Sequence, residues 1–158
     1  DRVVAPISEM LSNEADAALH SSGVRGLVWL WYDYPAHEST SEAAYRATMD
    51  YFRTSPGSAD VPAWAAVTSF DIKSENNYDA WREKATYFNP DELYEVMLGL
   101  VTNENLGRMT RGYACKPVAA HCTRAQFDAL GEVINGLTDK DAKFIQDEYA
   151  NQAKELDK

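Results

Sequence analysis

The stretch that most clearly decides the fold is residues 89–101, NPDELYEVMLGLV. Asn89 can cap a helix, and Pro90 fits the first helical position. Asp91 and Glu92 follow as the acidic residues that a helix dipole favours in its first turn. Apolar residues then recur every three or four positions, as on one buried helix face: Leu93, Val96, Met97, Leu100 and Val101. The stretch therefore predicts an amphipathic helix with a defined start.

Similar start signals occur on both sides of this helix. Thr123 with Gln126 three residues later has capping-box spacing, and so does Ser39 with Glu42. Thr138 can cap a last helix. Each signal precedes an apolar stripe with helical spacing. These positions predict three further helices, two of them in the C-terminal part of the chain.

The rest of the chain is also predicted to be helical. A first helix is expected from Val4 to near Gly23, and another begins at Pro62. Residues 26–35, GLVWLWYDYP, fit either a buried helix or a short strand, and Gly107 and Gly112 are expected to mark a loop. A further inward stripe has spacings of 3, 4 and 3 residues: Tyr78, Trp81, Ala85 and Phe88. We expect an all-α single domain over 1–158, with six to seven short helices packed as consecutive helical hairpins.

Composition excludes two classes of partner. The chain has 158 residues, of which 45% are apolar, so it can build a core. Lys and Arg number 15 against 25 Asp and Glu, and the net charge of −10 argues against binding nucleic acid through phosphate attraction. The longest apolar run, 27–32, is far shorter than the roughly 20 residues of a membrane span. We therefore expect an acidic protein with no nucleic-acid partner and no direct membrane span.

Two pairs of predicted helices are spaced by a nearly constant interval. AAYRATMDYF and NNYDAWREKATYF align on Tyr45 and Tyr78, 33 residues apart. ELYEVMLGLV and AQFDALGEVI align on Leu93 and Phe127, 34 residues apart. Such periods are typical of arrays of helical hairpins, and coincidence among amphipathic helices is the alternative.

The aromatic-x-x-x-apolar opening of AYRATMDYF resembles the first helix of a pentatricopeptide-type repeat, over roughly residues 45–130. The chain is also similar in size, helical content and an N-terminus expected to be processed to the extra, pentatricopeptide-like subunit on the F1 sector of euglenozoan mitochondrial ATP synthases. That resemblance implies a mitochondrial accessory subunit that binds other protein subunits. Most pentatricopeptide proteins read single-stranded RNA along a basic face, and a chain at −10 departs from that pattern.

One segment is basic within this acidic chain. Residues 105–127 contain no acid and four cations: Arg108, Arg111, Lys116 and Arg124. They predict a docking loop for an acidic partner surface or a phosphate, and a chance gap in the acids is the alternative. Trp29 and Trp31 are the second candidate contacts, because on a helix their side chains diverge by about 200° and at least one could reach the surface.

The two cysteines lie in the same segment. Cys115 and Cys122 could form a disulfide or remain as two reduced, packed thiols. A zinc site with His121 is a weaker alternative, because His121 and Cys122 are adjacent and no fourth ligand is nearby. His121 could also activate Cys122 as a nucleophile in a small enzyme. His20 and His37 are expected to be structural or solvated.

The sequence contains no catalytic frame, so we expect no catalytic residue, metal or cofactor. The preferred hypothesis is a non-catalytic helical accessory subunit of a larger assembly, such as a mitochondrial ATP synthase or other respiratory complex. The alternative is a secreted or periplasmic effector, inhibitor or immunity protein with one disulfide. The absence of a leader before Asp1 fits a removed targeting segment, and mitochondrial import and export explain it equally.

Overall fold

The structure is a computed structural model that describes residues 2–13, 17–33, 38–54 and 82–157. Within these ranges the protein is all-α, as predicted, and contains no strand. The described elements are α1 (Val4–Asn13), α2 (Ala17–Val28), a π-helical turn (Trp29–Asp33), α3 (Glu38–Thr54), α4 (Pro90–Thr102), α5 (Arg108–Tyr113), α6 (Cys115–His121), α7 (Arg124–Asn135) and α8 (Ala142–Leu156).

The predicted first helix is two helices, so that prediction is wrong in its extent. α1 ends at Asn13, and α2 continues through Gly23 to Val28. A Cβ on Gly23 would lie 2.5 Å from Met10 Cε and 3.1 Å from Leu11 Cδ2, so the glycine allows α2 to pack closely on α1. Residues 26–33 are helical rather than extended, which settles the helix-or-strand alternative for that part.

Trp31 lies at the centre of an aromatic cluster that joins the N-terminal helices to the rest of the described structure. Its indole Nε1–H donates to Thr48 Oγ1 on α3 at 3.1 Å, and Tyr87 Oη–H donates to its carbonyl at 2.9 Å. Its ring packs edge-on against Tyr45 and stacks on Phe88, with centroids 5.2 and 6.1 Å apart. These contacts fix the π-helical turn against α3 and the start of α4.

The N-terminus of α4 confirms the prediction from the NPDE motif. The Asn89 side chain accepts hydrogen bonds from the backbone N–H groups of Asp91 and Glu92, and Pro90 occupies the first turn. Glu92 also accepts from Tyr45 Oη–H at 2.8 Å and pairs with Arg53 at 2.6 Å, so α4 is tied to α3. The five apolar residues predicted to face inward are all buried.

The C-terminal part mixes confirmed and corrected predictions. The capping box of Thr123 and Gln126 opens α7 as predicted. The predicted loop around Gly112 is helical instead, and Gly112 lies where a Cβ would approach Phe144 Cε1 to 2.8 Å. Residues 108–121 form two short helices and the first helix is divided, so the described part has eight α-helices, close to the predicted six to seven. α5, α6 and α7 all pack against α8.

Two predictions about α8 are wrong. The helix begins at Ala142 with Asp141 as its N-cap, so Thr138 does not cap it. Thr138 lies in the connection from α7, where Asp139 is held by Arg111. Leu156, expected on the buried side, is exposed at the C-terminal end.

The predicted capping box of Ser39 and Glu42 concerns the start of α3. The helix begins at Glu38, so Ser39 lies inside its first turn.

Several predictions lie outside the described residues: the helix after Pro62, Tyr78 and Trp81 of the aromatic stripe, and His37. Ala85 and Phe88 of that stripe are buried. The spacing between Tyr45 and Tyr78 therefore stays a prediction. Leu93 and Phe127, which define the other spacing, are both buried near the starts of α4 and α7.

Candidate protein-interaction surface

Arg111, one of the four predicted contact residues, belongs to the interior. Its residue is 1% exposed, so it cannot contact a partner while the fold is intact, and this prediction is wrong. Its Nε–H donates to the Val101 carbonyl at 2.8 Å, and its two terminal nitrogens bind both Asp139 oxygens at 2.9 and 2.8 Å. The bidentate pair fixes the α7–α8 connection against α4 and α5.

The carboxyl of Asp139 shows the strength of this pair. The hydrogen bond from Arg111, together with the backbone N–H of Asp141, holds the pKa of Asp139 at about 2. A buried guanidinium needs such a counter-charge, because an unpaired charge in the interior is strongly unfavourable. The charge of Arg111 is therefore used by the fold itself.

Arg124 is exposed but neutralised within the chain. Its Nε donates to Asp128 and its Nη1 donates to Asp157, both at 2.8 Å. It thus links the start of α7 to the C-terminal end of α8. With Arg111 and Arg124 both paired to aspartates, the basic segment offers a partner much less charge than its sequence indicates.

Arg108 and Lys116 are brought together on one aromatic strip. The Arg108 guanidinium lies over the Phe144 ring at 5.3 Å, and the Lys116 ammonium lies over the Tyr113 ring at 4.5 Å. The two rings are 6.2 Å apart, edge to face. Arg108 is exposed, whereas Lys116 is half-buried. In the structure, the predicted basic docking loop is therefore reduced to Arg108 and Lys116 on this strip.

The two tryptophans have opposite environments, as divergence on a helix requires. Trp31 is fully buried in the aromatic cluster, so it is not a contact residue and that prediction is wrong. Trp29 is 49% exposed at the start of the π-helical turn. Such turns are rare and occur often at functional sites. Trp29 therefore remains a candidate residue for contact with a partner protein.

Trp29 continues a surface stripe along α2. Leu19, Ser22, Gly26 and Trp29 follow one another at spacings of 3, 4 and 3 residues, which places them on one helix face. Leu19 is 46% exposed and Ser22 is exposed. Arg25, also exposed, borders the stripe. We call this set the α2 outer face: Leu19, Ser22, Arg25, Gly26 and Trp29. α2 packs through its other side against α1 and α3.

Sequence reasoning missed Leu19, Arg25 and Gly26 as surface candidates. A signal was present, because residues 17–32 contain no acidic residue in a chain with 25 acids. Residues 105–127 differ from the rest of the chain in the same way. The many apolar residues of 17–32 obscure this signal, because periodicity alone does not separate an outward Leu from an inward one on a short helix.

The cysteines are two thiols at opposite ends of α6. Cys115 Sγ–H donates to the Gly112 carbonyl at 2.9 Å, and Cys122 Sγ–H donates to the Pro90 carbonyl at 3.4 Å. Seven residues of helix separate their Cα atoms by about 10 Å, beyond the roughly 7 Å that a disulfide can bridge. Of the two alternatives that the sequence leaves open, the structure therefore shows two thiols rather than a disulfide.

The environment of Cys122 also opposes a reactive thiol. Burial, together with the nearby Asp91 carboxylate, raises the pKa of the Cys122 thiol to about 12. His121 is buried, and its ring contacts Tyr32 and Phe88 edge-on. A nucleophilic cysteine needs a lowered pKa, so this pair lacks the property that the proposed enzyme would require.

Three further findings concern ligands and relatives. Among the described residues, no group of three or more His, Cys, Asp or Glu side chains could hold a metal ion. No helix in that part of the chain is long and apolar enough to cross a membrane. No protein-family model, curated protein or solved structure matches the chain.

Proposed function

We propose that the protein is a non-catalytic helical subunit that binds another protein within a larger assembly. The observation that carries the proposal is Trp29, a half-exposed tryptophan on a helix face that also exposes Leu19. Tryptophan is among the residues most enriched at the energetic centres of protein interfaces. Burial of this ring against a partner removes apolar surface from water, at roughly 25 cal/mol per Å².

The charge distribution supports a protein partner over a nucleic acid. The net charge is −10, and Arg111 and Arg124 are paired with aspartates. Binding to phosphates requires several cations directed at the ligand, because each phosphate that a cation neutralises releases counterions and adds to the affinity. Arg108 and Lys116 are two cations on one strip, which is too few for a nucleic-acid surface.

The native size of the protein tests the proposal. The chain of 17.7 kDa would be followed by immunoblot through size exclusion of a fresh extract from its source, at low and at physiological salt. We expect it to elute with an assembly several times its own mass under both conditions. The purified recombinant chain run on the same column is the control. Elution of the native protein at the position of that control would overturn the proposal.

Within this class, the assembly we propose first is the F1 sector of a mitochondrial ATP synthase. The support is the pentatricopeptide-like resemblance over roughly residues 45–130 and the all-helical fold. Immunoprecipitation of F1 from purified mitochondria, followed by mass spectrometry, checks this choice. We expect the chain in stoichiometric amount with the catalytic subunits. Its absence from both F1 and the mitochondrial fraction would remove this assignment, while the broader proposal would still be decided by native size.

A further inference from the structure

The α2 outer face contains a glycine whose presence the described residues do not explain. A glycine inside a helix weakens it relative to alanine, so a packing reason is expected. Gly23, on the same helix, has one, because Met10 and Leu11 occupy the space of its Cβ. At Gly26 no atom of the described residues lies within 4 Å of a Cβ. The space above Gly26 is therefore open among the described residues, on the helix face that carries Leu19 and Trp29.

Gly99 on α4 shows that an open glycine alone is not a site. Its Cβ position is also open, but its exposed neighbours one turn away are Glu95 and Thr102. Both of these exposed neighbours are polar. Gly26 differs because the exposed residues one and two turns away include a tryptophan and a leucine.

The charge around Gly26 is consistent with an acidic contact. No Asp or Glu occurs in residues 17–32, although the chain has ten more acids than bases. Arg25 is the one cation in that stretch of sequence, and it is exposed beside Gly26. A partner carboxylate placed there would meet a guanidinium and no like charge from α2.

We propose that the α2 outer face binds an amphipathic helix of another protein subunit, which crosses α2 at Gly26. Small residues at a helix crossing let two backbones approach closely, and Leu19 and Trp29 flank the crossing as a ridge at helical spacing. The partner helix presents apolar side chains to Leu19 and Trp29 and a carboxylate to Arg25. This inference rests on the proposed function and names the kind of partner.

Site-specific photo-crosslinking tests the position and the partner. A diazirine amino acid replaces Ser22, in the middle of the face, in protein expressed in its source, and a control chain carries it at exposed Ala129 on α7. We expect a heterologous adduct from position 22 only, mapped by mass spectrometry to a helical segment with at least one Asp or Glu. An adduct between two copies of this chain, an adduct from position 129 alone, or no protein adduct would overturn the inference.

A matched pair of glycine variants tests the crossing. Gly26→Leu and Gly99→Leu each place the same side chain at a helix position where a Cβ has no described atom within 4 Å. The crosslinked segment, made as a synthetic peptide, serves as the binding probe in calorimetry. We expect Gly26→Leu and Trp29→Ala to weaken binding by about 30-fold or more, the range of an interface hot spot, and Gly99→Leu to leave it unchanged.

The outcomes separate this inference from the function it rests on. Thermal unfolding and circular dichroism of each variant confirm that the fold is retained. If the native chain elutes with an assembly and Gly26→Leu binds the peptide as well as wild type does, the α2 site is wrong and the accessory function stands. If the native chain elutes alone, the proposed function itself is wrong.

Discussion

The two longest stretches of the chain without an acidic residue are residues 17–32 and residues 105–127, and the fold uses them in opposite ways. The second stretch carries four cations, yet the structure buries Arg111 against Asp139 and pairs Arg124 with two aspartates. The first carries one cation and exposes Trp29 and Leu19. A gap in the acids therefore does not by itself locate a binding surface. Whether the cations of such a stretch are available to a partner depends on whether distant parts of the chain supply their counter-charges.

The largest expected effect comes from removing the buried cation of the second stretch. Arg111→Leu leaves the Asp139 carboxylate and the Val101 carbonyl without their donor, and we expect a loss of about 3–5 kcal/mol in the free energy of unfolding. Urea unfolding measures it. Arg108→Leu, on the same helix but exposed, is the control and should change stability by less than about 0.5 kcal/mol. Equal effects of the two variants would contradict the division between inward and outward cations.

A glycine from each stretch gives effects of opposite sign. Gly112→Ala places a Cβ 2.8 Å from Phe144 Cε1 and 3.3 Å from Glu148 Cγ, so we expect a loss of about 1–2 kcal/mol. Gly26→Ala meets no described atom, and the better helix propensity should add about 0.5–1 kcal/mol. Denaturant midpoints of both variants check the pair. A destabilised Gly26→Ala would show that α2 is packed on its outer side as well.

The second stretch should also make the free energy of unfolding depend on pH in the acid range. The pKa of Asp139 is lowered to about 2, so its pair with Arg111 stabilises the fold fully above the unfolded pKa of about 3.9. That contribution is lost as the pH falls from about 5 towards 2. We therefore expect Asp139→Asn to be strongly destabilising at pH 6 and progressively less so at pH 4 and pH 3. A penalty that is constant across this range would mean that the pair does not stabilise the fold.

Much of the fold could be predicted from local signals. The cap, the first-turn proline and the apolar spacing of α4 lie within 13 residues, and the capping box of α7 lies within four. Such signals depend only on neighbours in sequence, so they predict the starts of these helices correctly. The division of the first helix is not predictable in this way, because it depends on Gly23 packing against Met10 and Leu11 in three dimensions.

The candidate site was harder to predict for the same reason. The sequence alone predicts Arg111 to be a surface cation, because its partner Asp139 lies 28 residues later in the chain and is brought beside it only by the fold. Trp31 is distinguished from Trp29 by a hydrogen bond to Thr48, 17 residues away, and by the Phe88 ring. The interior required partners from distant segments, and local periodicity carries no information about them.

One charge reversal in each stretch tests the central claim most directly. Arg25→Glu and Arg108→Glu make the same change on an exposed helix residue, one on the α2 outer face and one on the basic strip. Each variant would replace the native chain in its source, and the fraction that migrates with the assembly on a native gel would be measured. We predict that Arg25→Glu releases the chain while Arg108→Glu remains assembled. Release by Arg108→Glu with full retention of Arg25→Glu would contradict the account and return the partner to the basic segment.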